Sequence, residues 1–236
     1  MNLNTPLHKI LFLDIETVPA VPSYNELDAD FRQLWDKKAA FLKREGDETP
    51  AGLYQKAGIF AEFGKIVCIS VGVMRERKLR IKSFAGKDEG VLLNSFASLL
   101  NQHYSTEQHS LCAHNGKEFD FPYICRRMLV NGIKLPHILQ IAGKRPWEVK
   151  HIDTLELWKF GDYKHYTSLE LLAALFGIPT PKDDIDGSEV GKVFWEDDDL
   201  ERIVTYCQKD VLTIVQLFQR YRGQELLSDD EVEWVE

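Results

Sequence analysis

From His8 to Thr17 the chain reads HKILFLDIET. In an extended segment this places Ile10, Phe12, Asp14 and Glu16 on one face and Leu11, Leu13 and Ile15 on the other. Apolar residues on both faces predict a strand buried on both sides. Lys65–Met74 carries the same pattern. Lys78–Phe84 alternates basic and apolar positions and predicts a half-exposed strand, joined to the previous one by a short turn at Arg75–Arg77. Asp88–Tyr104 changes to helical spacing, with Val91, Leu92, Phe96, Leu99 and Leu100 as its apolar set. Leu111–Ala113 predicts a short strand that runs into His114-Asn115-Gly116. Glu118–Val130 predicts the helix after it, closed by Asn131-Gly132.

The second half turns helical. His151–Leu155 is a short apolar strand or bend. Thr167-x-x-Glu170 has the form of a capping box for a helix over Leu169–Phe176, stopped by Gly177 and Pro179. Asp197–Arg222 predicts a long last helix, acidic at its start and basic at its end, as the helix dipole favours. Its core stripe is Leu200, Ile203, Val204, Cys207, Val211, Ile214, Val215 and Phe218. Glu225–Glu236 is acidic and reads as a loose tail. The stretch 20–64 interrupts the strand pattern. Within it Glu26–Glu45 has helical spacing, with Phe31, Leu34, Trp35, Phe41 and Leu42 apolar, before Thr49-Pro50-Ala51-Gly52 breaks it. It is an insertion between two strands that would otherwise form a hairpin.

With 236 residues, 44% hydrophobic and 28% charged, the chain suits one large globular domain or two small ones, with a sizeable core. The longest apolar runs, such as Ile66–Val73, fall far short of the roughly 18 residues of a membrane-spanning helix. No long apolar stretch opens the chain at Met1–Lys9, so the expected location is cytoplasmic, with no membrane partner. The four cysteines Cys68, Cys112, Cys125 and Cys207 form no C-x-x-C pair and read as buried, reduced thiols. The net charge of −8 argues against a general electrostatic binder of nucleic acid, but not against an enzyme whose carboxylates hold divalent cations.

Three constellations carry candidate chemistry. Asp14-Ile15-Glu16 puts two carboxylates on one face of a strand, where they repel and lose hydration. Either a cation compensates them, or the strand end emerges into water at Thr17-Val18-Pro19. Asn115-Gly116-Lys117-Glu118-Phe119-Asp120 lies where a strand ends and a helix begins, the usual place for a site in an open α/β sheet. Helix capping by Asn115 or Asp120 is the alternative. Tyr206 and Asp210 share a face of the last helix, beside its core stripe. The alternative there is an Asp bridged to Lys209 or to an arginine, with Tyr206 as packing. Taken together, four acids meeting in one cleft are what two magnesium-like ions require.

In this order and context, LDIET, HNGKEFDFPYI and YCQKD resemble the three motifs of the DEDD superfamily of 3′–5′ exonucleases in its tyrosine version. The chain is most similar to the proofreading exonuclease domain of family B DNA polymerases, in the manner of stand-alone predicted exonucleases. EFGKIVCIS, SLELLAALFGIP and DIDGSEV add to the likeness. The resemblance implies a ribonuclease-H-like mixed β-sheet flanked by helices on both faces. It implies a single exonuclease domain over 1–236, with the insertion at 20–64 and the acidic tail at 225–236. It implies that Asp14, Glu16, Asp120 and Asp210 bind two divalent cations, magnesium or manganese, and that Tyr206 assists the attacking water. It places Thr17, Asn115 and Phe119 against the terminal nucleotide, with Phe121 as another possible base contact. The implied partner is a nucleic acid with a free 3′ end, in the first place single-stranded DNA. An exoribonuclease of the same mechanism, or a non-catalytic binding module on the same fold, are the alternatives.

His114 occupies a position in the second motif that does not suit a histidine general base, and Tyr206 fills the third motif. Asp153 is expected to support its neighbours by hydrogen bonding. Lys37-Lys38, Lys43-Arg44, Arg75–Arg80, Arg126-Arg127 and Lys144-Arg145 are candidate phosphate tracks. Trp147, Trp158, Trp195, Tyr163 and Tyr166 are candidate stacking residues.

Overall fold

The computed structural model describes residues 3–42, 48–162, 166–179 and 185–235. Its strands are β1 (Ile10–Pro19), β2 (Gly64–Arg75), β3 (Lys78–Ala85), β4 (Ser110–Ala113), β5 (Ile152–Asp153) and β6 (Val232–Val235). They form one mixed sheet in the order β5-β4-β1-β2-β3-β6. The first three make an antiparallel set, and β4, β5 and β6 add in parallel. With helices on both faces, this is the expected ribonuclease-H-like architecture.

The two faces of β1 serve two cores. Leu11, Leu13 and Ile15 join Leu92, Leu93, Phe96 and Leu100 of α3 (Glu89–His103) and Phe121, Ile124 and Met128 of α4 (Asp120–Val130). Ile10 and Phe12 meet Val211, Ile214, Val215 and Phe218 of α8 (Leu200–Tyr221). Complete burial of each such side chain stabilises the fold by about 1.5–3 kcal/mol. Gly72 permits this close approach of α8, since a Cβ there would lie 2.9 Å from Val211 Cγ1. Asp199 caps α8 by accepting from the Arg202 amide, and Asp88 caps α3 in the same way from Val91.

The remaining helices are α1 (Ala29–Leu42), α2 (Pro50–Leu53), α5 (Thr154–Lys159), α6 (Leu169–Phe176) and α7 (Val190–Trp195). In the insertion, Trp35 and Ala39 of α1 pack with Leu53, Tyr54, Ala57 and Phe63 in a separate small core. Phe31, Leu34 and Phe41 lie on the exposed side of α1, contrary to their expected place in its apolar stripe. One helical face cannot serve both a small core on one side and a stripe that wide. Val91 is likewise exposed, and Glu89 is buried in α3 instead, where Arg127 and Asn131 bind its carboxylate.

Three local expectations need correction. The cap of α6 is Ser168, which accepts from the Leu171 amide, and not Thr167. The short strand or bend expected at His151–Leu155 is a strand only over Ile152–Asp153, and Asp153 caps the helix α5 that follows at once. The acidic end is no loose tail. β6 pairs with β3, placing Val232 beside Leu79 and Trp234 beside Ile81. Its acids meet the basic outer positions, Glu231 on Arg77 and Glu233 on Arg80. An acidic strand on a basic edge satisfies both the ladder and the charge. Among the described residues no helix is long and apolar enough to cross a membrane.

Candidate active site

β4 pairs with β1 only at Ile10, Leu11 and Phe12. Beyond Phe12, no strand among the described residues pairs with the edge of β1 that faces β4, and its amides need other partners. Asp120, the first residue of α4, supplies one: its carboxylate accepts from the Ile15 amide as well as from its own. This brings Asp120 against the segment that carries Asp14 and Glu16.

Asp14 and Glu16 point to the face covered by α8. The Cys207 thiol of α8 lies 3.5 Å from Asp14 Oδ2 and from the Asp14 carbonyl oxygen. Ligand atoms of Asp14, Glu16 and Cys207 all fall within 4.8 Å of one another. Across the β1–β2 ladder, Ser70 stands opposite Asp14 and Cys68 opposite Glu16. Ser70 hydrogen-bonds to Ser83 on β3 at 2.8 Å, and Gln208 of α8 donates to the same Ser83 at 3.0 Å. The floor of the site is therefore a polar seam through an otherwise apolar interface.

Electrostatics tie the four acids together. Burial, then the charges of Asp210, Glu16 and Asp120, hold the Asp14 carboxyl well above the ordinary range. Burial and then Asp210 do the same to Glu16, with Asp120 adding to it. Burial, opposed by the backbone hydrogen bonds, moves Asp120 up to about 8, and Asp153 and Asp210 add to that rise. Acids from β1, α4 and α8 thus share one field. Such a set of hard oxygen donors suits divalent cations of the magnesium class, which would relieve repulsion and desolvation together.

The segment between β4 and α4 is held by Asp153. Its Oδ1 accepts from the amides of Asn115 (2.9 Å), Leu155 (2.9 Å) and Glu156 (3.4 Å), and its Oδ2 from Lys117 (3.0 Å). Asn115 takes a left-handed φ of 61°, which Asn tolerates better than most residues. Gly116 follows because a Cβ there would collide with Ala113 and crowd Phe121. The Lys117 ammonium turns away to Glu156 at 2.7 Å. His114 has both ring nitrogens engaged, Nε2 with the Thr167 carbonyl and Nδ1 with the Thr154 hydroxyl, each at 2.9 Å. Burial lowers its pKa, and its ring ties the end of β4 to Thr154 and Thr167.

The other expected residues fall in varied places. Thr17 follows a register shift in β1, and its hydroxyl bonds to the Tyr123 phenol. Phe119 caps the edge of the α3–α4 core, half-buried and 5.3 Å from the Tyr123 ring. Phe121 is fully buried against His151, which removes it as a base contact. Tyr206 packs half-buried on the cluster around Val190, Phe194 and Ile203, one residue before Cys207.

Among stacking candidates, Trp158 packs on Phe176, and Trp195 donates to the Pro19 carbonyl. Trp147 is exposed, and Tyr163 lies outside the described residues. Tyr166 is exposed beside His114, and the charges of Asp120, Asp153 and Asp210 reach its phenol. Several basic groups have other duties: Arg127 is buried on Glu89, while Arg77 and Arg80 bind β6. Lys43-Arg44 lies outside the described residues. Sequence reasoning treated Cys68 and Cys207 only as buried thiols. The one signal in the sequence is the place of Cys207 inside the third motif; that Cys68 stands opposite Glu16 is a matter of strand register.

A family model described as a predicted 3′–5′ exonuclease related to the exonuclease domain of PolB matches residues 59–232. That span contains Asp120, Tyr206 and Asp210, while Asp14 and Glu16 precede it. Among solved structures, the chain is similar to the family B DNA polymerase from the hyperthermophilic archaeon Pyrobaculum calidifontis, at 17% identity and a TM-score of 0.49. The similarity covers 89% of this chain and 24% of the polymerase, so the chain spans about a quarter of that protein's length.

Proposed function

The chain belongs to the family of predicted 3′–5′ exonucleases related to the exonuclease domain of PolB, and from that premise we propose that it removes nucleotides from the 3′ end of a nucleic acid, in the first place single-stranded DNA. The observation that carries this reading is the shared field of Asp14, Glu16, Asp120 and Asp210, drawn from three separate elements. A purely structural or binding module has no physical reason to gather four mutually repelling acids, with Glu16 and Asp120 buried and Asp14 and Asp210 half-buried.

In this reading Asp14, Glu16, Asp120 and Asp210 hold two divalent cations, magnesium or manganese. When bound, such ions supply Lewis-acid stabilisation of phosphate charge and acidify water. The protein's own part is positioning. Asp120 is fixed by the Ile15 amide, and its loop by Asp153. Tyr206 orients the attacking water and assists its deprotonation without being indispensable, because a phenol is a poor base at neutral pH. Thr17, Asn115 and Phe119 flank the acids and touch the terminal nucleotide.

The test is degradation of oligonucleotides labelled at the 5′ end, DNA and RNA in parallel, with magnesium or manganese. A 3′ exonuclease gives a descending ladder, whereas immediate release of the label, or no cleavage with either ion, defeats the proposal.

A further inference from the structure

The thiols beneath the acids have no part in hard-ion chemistry. Magnesium and manganese take oxygen ligands, and sulfur donors select the zinc class of cations. Cys207 and Cys68 are both fully buried. They are hydrogen-bonded to each other, and Cys207 also faces Asp14. Cys68 is the cross-strand neighbour of Glu16. Two sulfurs and two carboxylates therefore converge from β1, β2 and α8. Asp14 is the half-buried member of the set and forms its mouth.

We propose that Asp14, Glu16 and Cys207, with Cys68 as fourth donor, form a binding site for a thiophilic divalent cation of the zinc class, which displaces hard cations and silences the site. Zinc bonds are about 2.3 Å to sulfur and about 2.0–2.2 Å to carboxylate oxygen. The corresponding tetrahedral edges are near 3.5 Å. The 3.5 Å separation of Cys207 Sγ from Asp14 Oδ2 matches such an edge. The 4.8 Å limit on the three-residue set closes with small side-chain shifts. Each thiol that ligates gives its proton to solvent, and no electron transfer is involved. The metal site stands on this geometry alone; its effect on turnover rests on the exonuclease reading.

The probe is cadmium, which reports sulfur ligation through a sulfur-to-metal charge-transfer absorption. Titration of the full chain should develop this band to one equivalent. Cys207→Ser should abolish it. Cys68→Ser should weaken cadmium binding by at least the roughly 10- to 100-fold that loss of a ligand's supporting partner costs. Cys125→Ser should leave the band intact, because Cys125 lies apart, against the Leu139 carbonyl. X-ray absorption of the zinc-loaded wild-type chain provides a reading that needs no variant to fold, and should show sulfur at about 2.3 Å. A wild-type chain with no band, a band that survives Cys207→Ser, or a zinc shell of oxygen and nitrogen alone would overturn the proposal. A band without any manganese-supported hydrolysis upholds the metal site and sinks the exonuclease reading. Hydrolysis without a band does the reverse.

Discussion

Asp153 gives the sharpest test of how the site is held. Its carboxylate is 3% exposed and receives four backbone amides, three on Oδ1 and one on Oδ2. In Asp153→Asn the amide oxygen can keep the Asn115 and Leu155 donors, but the NH2 group then confronts the Lys117 amide. One buried donor is left unsatisfied, which costs about 1–3 kcal/mol. The surviving bonds also lose charge assistance, which roughly doubles such a bond. Against this, removing the charge relieves some repulsion on Asp120. A net loss of about 2–3 kcal/mol follows, or a fall in Tm of about 4–12 °C for a domain of this size. Asp153→Ala strands every donor and should melt lower still. Calorimetric or circular-dichroism melts read both variants. Nuclease turnover should fall with them, because the Asn115–Lys117 segment leads into Asp120. If the Asn variant melts within about 1 °C of wild type, or the Ala variant is no worse than the Asn variant, the carboxylate does not carry this loop.

Further outcomes follow from the same geometry. Without metal, folded Asp120 titrates at about 8 and Asp14 and Glu16 lie above their ordinary values, so the folded chain keeps protons that the unfolded chain has released. Metal-free stability should therefore rise as pH falls from 8 to 6.5. Below that, His151, held down at about 4 by burial, works in the opposite sense. Melts in EDTA at the two pH values test this, and a Tm that is flat or lower at pH 6.5 would count against a shared buried charge; millimolar manganese should raise Tm most at pH 8. Tyr206→Phe should lower turnover by about 10- to 1000-fold and Asp210→Ala by more, since a positioned proton acceptor contributes less than a metal ligand; steady-state rates in the reverse order would refute the assignment. Deleting residues 229–236 should destabilise the chain by about 1–3 kcal/mol, because it uncovers the β3 edge over Leu79 and Ile81. A deletion variant with unchanged Tm would mean that β6 contributes nothing.

Period-two and helical spacing alone determined β1, β2, β3, α3, α4 and α8, because burial on one or both faces imprints itself on consecutive residues. The acids stand out for a related reason, as carboxylates where apolar residues are expected at Asp14, Glu16 and Asp210, but only the resemblance of their order to an exonuclease family joins them into one proposed site. What the sequence could not carry was any feature that depends on a distant partner. The acidic segment at 229–235 reads as a solvated tail until the basic edge of β3, some 150 residues away, is set beside it. α5 and α7 are too short to show a period, and β5 has only two residues. The exposed Phe31, Leu34 and Phe41 follow the right spacing, but the small insertion core takes only Trp35 and Ala39. Only the tertiary structure decided that Asp153 holds the Asn115–Lys117 segment and that Asp120 reaches the Ile15 amide. Only it placed two thiols beneath the acids. Each of these rests on a strand ending early or a helix crossing at a set height, and neither is encoded in the local order of residues.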